Sequence, residues 1–272
     1  MSEEKTQNSM GPTTNSNLKY LSLVTLTVQN SAVALSMRYA RTRPGDMFIA
    51  STAVVSAEFV KLLASLYLVF HQVGSLQQFI VALQTQILKQ KLDTLKVAVP
   101  SFIYLVQNNL LYVSASNLDA ATYQVTYQMK ILTTAMFAVL ILGSDVSIWI
   151  RNVQLSFLSL PLGVLTALAN DWSSITSKGF FYAYDSYIIY LIVLNAVGGL
   201  LVAMVVKYAD NILKGFATSL AIVLSTVFSV FIFDFMISIE FVVGTVFVMA
   251  SIFLYSYEPP KKSPSTLYLE KV

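Results

Sequence analysis

Apolar residues run in long blocks separated by short polar stretches. Eight of these blocks, at about 18–37, 48–70, 97–115, 120–142, 149–169, 187–206, 212–233 and 239–257, approach the roughly 20 residues that cross a hydrocarbon core. Runs of this length read as helices, because barrel strands are about half as long and lipid leaves the backbone no other way to pair its polar groups. The pattern predicts an all-α integral membrane bundle of about eight spans. A polar tail (1–17) precedes a first membrane half of four helices (18–142). A second half of four (143–257) leads into a polar tail (258–272) that contains Pro259, Pro260 and Pro264 and reads as disordered. The tail through Asn17 has no apolar signal core, so the first span is expected to serve as the targeting signal.

Composition agrees with the pattern. Hydrophobic residues make up 56% of the 272 and charged residues only 11%, where a soluble domain carries about a quarter. Cysteine is absent, which excludes disulfides and thiolate metal sites. The single histidine, His71, leaves little for metal or acid–base chemistry, so no metal and no cofactor is expected. Lysine and arginine set the orientation. With the N-terminus in the cytosol, that side holds eleven of them and the opposite side holds Arg38, Arg41, Arg43 and Lys178. Both termini are therefore expected in the cytosol.

Away from the span ends three charges remain: Glu58, Lys61 and Lys130. A charge at the bilayer centre costs about 2.5–3.5 kcal/mol on insertion scales. Glu58 and Lys61 are three apart on one helix, so they can neutralise each other or bracket a third group. Lys130 has no partner on its own helix and needs Glu58 or a bound anion. Tyr123, Tyr127, Lys130 and Thr134 share one helical face, a stripe of rings, cation and hydroxyl that suits a nucleotide. The helix itself opens at a turn with a candidate cap at Asn117 or Asp119. In the third span Tyr104, Asn108 and Tyr112 lie four apart and are expected to face a cavity or another helix. The turn at Lys207-Tyr208-Ala209-Asp210-Asn211 loosely echoes the stretch from Tyr112 to Thr122, as in transporters built on internal repeats.

These stretches carry a resemblance. Gln107-Asn108-Asn109-Leu110-Leu111-Tyr112, the run from Ser116 to Lys130, and the run from Val206 through Asn211-Ile212-Leu213-Lys214-Gly215 to Thr218 strongly resemble the nucleotide-sugar transporter family. The branch is that of the UDP-galactose, UDP-N-acetylglucosamine and CMP-sialic acid carriers, and the similarity runs from about Asn17 to Tyr257. The resemblance implies the drug/metabolite-transporter fold, ten helices in two inverted halves, in Golgi or ER membranes. It also implies exchange of a cytosolic nucleotide sugar for a luminal nucleoside monophosphate, with no enzymatic step and no nucleic acid. Family site residues fall on Glu58, Lys61, Tyr104, Asn108, Tyr123, Lys130, Asn152 and Lys214. Lys130 and Lys214 would contact phosphate, and the tyrosines and asparagines would hold the nucleoside. Asn211 belongs to the second polar turn, and Asn195, just before Gly198-Gly199, is a candidate for sugar choice. Ser156 and Leu158 stand where CMP-sialic acid members carry tyrosine and serine, which favours a UDP-sugar.

One departure stands out. Ile141-Leu142 runs through Gly143-Ser144-Asp145 directly to Trp149, where the family has about two more helices. An even deletion keeps the sidedness of the second half but removes part of the expected cavity wall. Two functions follow as expectations. One is a UDP-sugar/UMP antiporter in the Golgi membrane, associating with its own kind, other carriers or glycosyltransferases. The other is a shortened, non-transporting isoform that binds and regulates full-length carriers.

Overall fold

In a computed structural model the described residues are 12–128, 147–208 and 211–256, without the side chains of 12–20, 22, 88, 91, 93, 148, 202–208, 211–214, 255 and 256. They form α1 (Pro12–Thr42), α2 (Ala50–Val73), α3 (Leu76–Leu83), a single π-helical turn (Gln84–Leu88), α4 (Lys91–Asn117), α5 (Ala120–Tyr127), α6 (Ile148–Lys178), α7 (Ser186–Tyr208), α8 (Asn211–Phe233) and α9 (Ile239–Ser256). Each apolar block falls on one of these helices, although the fourth span is described only as far as Gln128, just past the end of α5. The short helix α3 was not expected. It has eight residues, too few for the length criterion that found the spans.

Side-chain exposure explains why the bundle suits lipid. On α2 the exposed face carries Phe59, Leu63, Tyr67 and Phe70, while the buried face holds Ser51, Thr52, Glu58 and Ser65. On α4 an outward stripe of Leu95, Val99, Phe102, Val106, Leu110 and Val113 repeats every three or four residues. Apolar faces out and polar or small faces in is the reverse of a soluble helix. By length and composition, Ala50–Val73, Trp149–Lys178 and Gly215–Phe233 can each cross a membrane, and Ser186–Leu201 and Ile239–Leu254 are shorter apolar helices. The chain is an all-α, multi-pass membrane protein.

Small residues hold the helices together. α6 packs most extensively on α2, and α1 packs on α8. A Cβ on Gly163 of α6 would lie 3.1 Å from Val55 of α2 and 3.4 Å from Leu105 of α4, so glycine lets three helices converge there. The α1–α8 seam aligns two residue pairs, each spaced by one turn. Thr27 Oγ1 donates to the Ala217 carbonyl at 3.2 Å, and Ser31 Oγ donates to the Ala221 carbonyl at 3.1 Å. Ala217, Ala221, Ser225 and Ser229 form the buried stripe of α8 behind it.

At the end carrying the α1–α2 and α6–α7 loops, arginines satisfy helix ends. Arg38 Nη1 donates to the Ala115 and Ser116 carbonyls, both at 2.9 Å, closing the C-terminus of α4. Asp185 Oδ1 accepts from the Ile188 amide at 2.9 Å, and its other oxygen pairs with Arg43 at 2.7 Å. The Ile188 amide, with Arg43 adding to it, holds the Asp185 carboxyl below its ordinary range. Asp119 occupies the N-cap of α5, but its side chain makes no capping bond, and Asn117 Nδ2 instead donates back to the Val113 carbonyl.

Two expectations follow. Ala221→Leu should force the α1–α8 seam apart and destabilise the protein by about 1–3 kcal/mol, read as a lower melting temperature in detergent. The Asp185 contribution is present at neutral pH and is lost as pH falls through the depressed carboxylate pKa. Asp185→Asn should therefore speed hydrogen exchange at the Ile188 amide at pH 7, and the wild type should match it only in acid.

Candidate functional site

Two of the three charges anticipated inside the membrane meet in the middle of α2. Lys61 Nζ lies 2.6 Å from Glu58 Oε1, with 17% and 7% of the two side chains exposed. One turn apart on one helix, the two groups neutralise each other where neither could stand alone. Ser65 Oγ donates to the Lys61 carbonyl at 2.7 Å. The second carboxylate oxygen, Glu58 Oε2, is buried and has no hydrogen-bond partner among the described residues.

Two neighbouring helices complete this cluster, and glycine explains how they approach. On α7, Asn195, Gly198 and Gly199 share a face, being three and four residues apart. A Cβ on Gly199 would lie 3.2 Å from the Lys61 stem, and one on Gly198 would collide with the amide of Gln29 from α1. Any larger side chain there would drive α7 away from both. Gln29 is buried, and its Oε1 has no partner among the described residues. Asn195 Nδ2 donates to the Leu191 carbonyl at 2.9 Å. Sequence reading passed over Gln29. The available signal was the amide pair Gln29-Asn30 inside an otherwise apolar span.

The tyrosine wall lies on α4 and α5. Tyr104 and Asn108 are partly buried on α4 and Tyr112 is buried. Tyr123 is 1% exposed and stacks on Tyr127, with ring centroids 5.9 Å apart and planes inclined by 8°. Tyr112 and Tyr123 belong to one core cluster with Met37 of α1, and each hydroxyl lacks a partner among the described residues. Gln124 and Gln128, also buried, each leave one amide atom unpaired in the same sense.

Depth separates the remaining candidates. The antiparallel α2–α6 packing matches Ser51 with Asp171, Val55 with Gly163, and Val69 with Ile150 and Val153. Asn152, 9% exposed, therefore lies roughly 10 Å further along α2 than Lys61. The first turn of α6 is tied down nearby: Arg151 Nη1 donates to Gln154 Oε1 at 2.9 Å, and Gln154 Nε2 to the Gln86 carbonyl at 3.0 Å and Thr94 Oγ1 at 3.2 Å. The backbone of Asn211 and Lys214 forms the first turn of α8, one turn before the Ala217 carbonyl that receives Thr27. Lys130 lies outside the described residues. Glu58 and Lys61 thus lie near Gln29, with Asn195 one turn back along α7; Tyr104 and Asn108 stand on α4, Tyr123 is buried on α5, and Asn152 sits toward one end.

Comparison with known proteins points the same way as the fold. A family model described as nucleotide-sugar transporter matches residues 14–146 and 143–256. The UDP-galactose translocator of Bos taurus is 41% identical over 305 aligned residues, covering 88% of this chain and 78% of that protein, and that of Mus musculus is 42% identical. The UDP-N-acetylglucosamine transporter of Rattus norvegicus is 39% identical over 321 residues, covering 92% of this chain and 98% of its own. Since 88% of 272 residues is about 239, an alignment of 305 positions leaves about 66 with no counterpart here. The two matched segments meet at 143–146, which locates the gap between the fourth and fifth spans, and its length is that of about two spans with their connections. Lacking those two helices, the chain belongs to the nucleotide-sugar transporter family.

Proposed function

We propose that the protein is a nucleotide-sugar antiporter. It carries UDP-N-acetylglucosamine, UDP-galactose or both from the cytosol into the Golgi lumen in exchange for UMP, with both termini cytosolic. The observation that carries this reading is the buried Lys61–Glu58 pair and the unpaired acceptors beside it, Glu58 Oε2 and Gln29 Oε1. Buried acceptors without donors are costly, and a sugar hydroxyl or a uracil N–H supplies the missing donor. The curated relatives named for UDP-galactose and UDP-N-acetylglucosamine support the class of substrate.

The charge balance gives the mechanism. Lys61 is neutralised within its own helix, which leaves Lys130 and Lys214, one from each half, as the cations for phosphate. A UDP-sugar carries about two negative charges, so the loaded site is close to neutral. Emptying it leaves Lys130 within the bilayer without a counter-charge, at about 2.5–3.5 kcal/mol, and Lys214 at the start of α8 without its anion, which disfavours return of the empty carrier and couples uptake to UMP export. In this scheme Tyr104, Asn108, Tyr123, Asn152 and Asn211 hold the nucleoside end, and Asn195, just before Gly198-Gly199, selects the sugar. Nothing in this scheme makes or breaks a covalent bond. The gap of about 66 positions favours a second reading, a non-transporting isoform that binds and regulates full-length carriers.

Proteoliposomes preloaded with UMP separate the two. The antiport reading expects UMP-dependent uptake of labelled UDP-sugar and little of CMP-sialic acid. Well-folded protein that takes up neither, beside an active full-length relative, supports the regulatory isoform. Lys214→Ala should reduce exchange about tenfold or more, the scale of one lost hydrogen bond to a charged group. Gln29→Leu should raise KM about tenfold while leaving the melting temperature of the empty protein unchanged or higher, because it removes a buried carbonyl oxygen that has no partner among the described residues. An unchanged KM would assign Gln29 to packing alone.

A further inference from the structure

A cavity of about 460 Å³ opens between the end of α1, the start of α2, the C-terminal third of α4 and the last turns of α6. None of the residues assigned above to the transported substrate lines it. Its charged lining is Arg41, Lys178 and Asp171, with Ser51, Phe48 and Tyr182 around them. Asp171 Oδ2 is engaged by Ser51 Oγ at 2.5 Å, at the one point where α6 leaves helical geometry (φ −121°, ψ 19°). The cations are differently placed. Among the described residues the ion pairs are Lys61–Glu58 and Arg43–Asp185, so neither Arg41 nor Lys178 has a carboxylate.

Both cations are nonetheless held in position. Arg41 Nε donates to Ser116 Oγ at 2.8 Å, Nη1 donates to the Phe48 carbonyl at 3.2 Å, and the guanidinium stands 5.3 Å from the Phe48 ring centroid. Lys178 Nζ stands 4.7 Å from the ring centroid of Tyr182. The first turn of α2 also borders the space, and its N-cap residue Ile49 supplies no side-chain cap. Two fixed cations, one engaged carboxylate and open helix amides line this basin, and a second carboxylate, Asp46, is hydrogen-bonded to the Tyr182 hydroxyl. The cavity's volume lies within the roughly 300–1,000 Å³ of small-molecule sites.

We propose that this cavity is a second ligand site, for a phosphate monoester, gripped by Arg41 and Lys178. Its role rests on the antiport reading: at the luminal end it would capture UMP before UMP enters the central site. The binding itself does not need transport. A free nucleotide and the headgroup of a phosphate-bearing lipid present the same chemistry, and the experiment separates them.

The full chain with Trp149→Phe, placed in phosphatidylcholine nanodiscs, keeps Trp172, beside Asp171, as its one tryptophan. UMP, inorganic phosphate and uridine are titrated against Trp172 fluorescence. UMP and phosphate should change the emission and uridine should not. Added salt should weaken the response. Lys178→Gln should weaken it about tenfold and Arg41→Gln/Lys178→Gln should abolish it, while Lys214→Ala should leave it in place. Lys178 is exposed, so its single variant reads the site even where the double variant fails to fold. Nanodiscs containing phosphatidate that occupy the site, and lose that effect in Lys178→Glu, identify the lipid as the source of the phosphate. A response equal for UMP and uridine, or one lost in Lys214→Ala and kept in Lys178→Glu, overturns the proposal. Exchange is measured in parallel on the same protein: binding without exchange retires the antiport role and leaves the site standing.

Discussion

Lys61 and Glu58 can share the interior of this bundle only because they sit one turn apart with Nζ and Oε1 at 2.6 Å. The insertion cost of either charge alone would consume a large part of a domain's net stability. The neighbouring architecture accommodates the pair: Gly199 leaves room for the lysine stem, Gly198 admits Gln29, and Ser65 bonds the backbone of the lysine's turn. The pair satisfies the charges and still leaves Glu58 Oε2 unpaired. A site that is neutral overall but short of hydrogen-bond donors is suited to a ligand rich in hydroxyls. It is poorly suited to remaining empty.

The gap between the fourth and fifth spans is absorbed by packing between the halves. α6 runs along α2 and α4, with Gly163 at the crossing, so the two halves interlock through the first helices of one and the first helix of the other. Removing an even number of spans keeps α6 to α9 facing the same sides. It explains why the seams of Thr27 with Ala217 and Ser31 with Ala221 can form in the shorter chain.

Much of the fold was legible in the sequence, because in lipid a span is a length and a composition. All eight apolar blocks fall on helices as far as they are described, and the Glu58–Lys61 pairing followed from a spacing of three. Gly198-Gly199 stood in the sequence only as the neighbours of Asn195, and what they touch was not legible: Gln29 arrives from a helix nearly 170 residues away, and no local pattern reports it. The cap at Asp119 was read from propensity, yet its side chain makes no capping bond. The short helix α3 escaped because its eight residues fall below any span criterion. The cavity at Arg41 and Lys178 was invisible for a different reason. In the sequence those residues read only as charges setting the orientation, and their opposition across a cavity is a product of the fold.

The account stands most directly on the unfavourable return of an empty carrier. Vesicles loaded with labelled UMP can be diluted into medium with or without external UDP-sugar, and release followed over time. The account predicts release at least about tenfold slower without external nucleotide, because the lysines proposed to hold phosphate, Lys130 and Lys214, then lack a counter-charge. Release at the same rate under both conditions would contradict it.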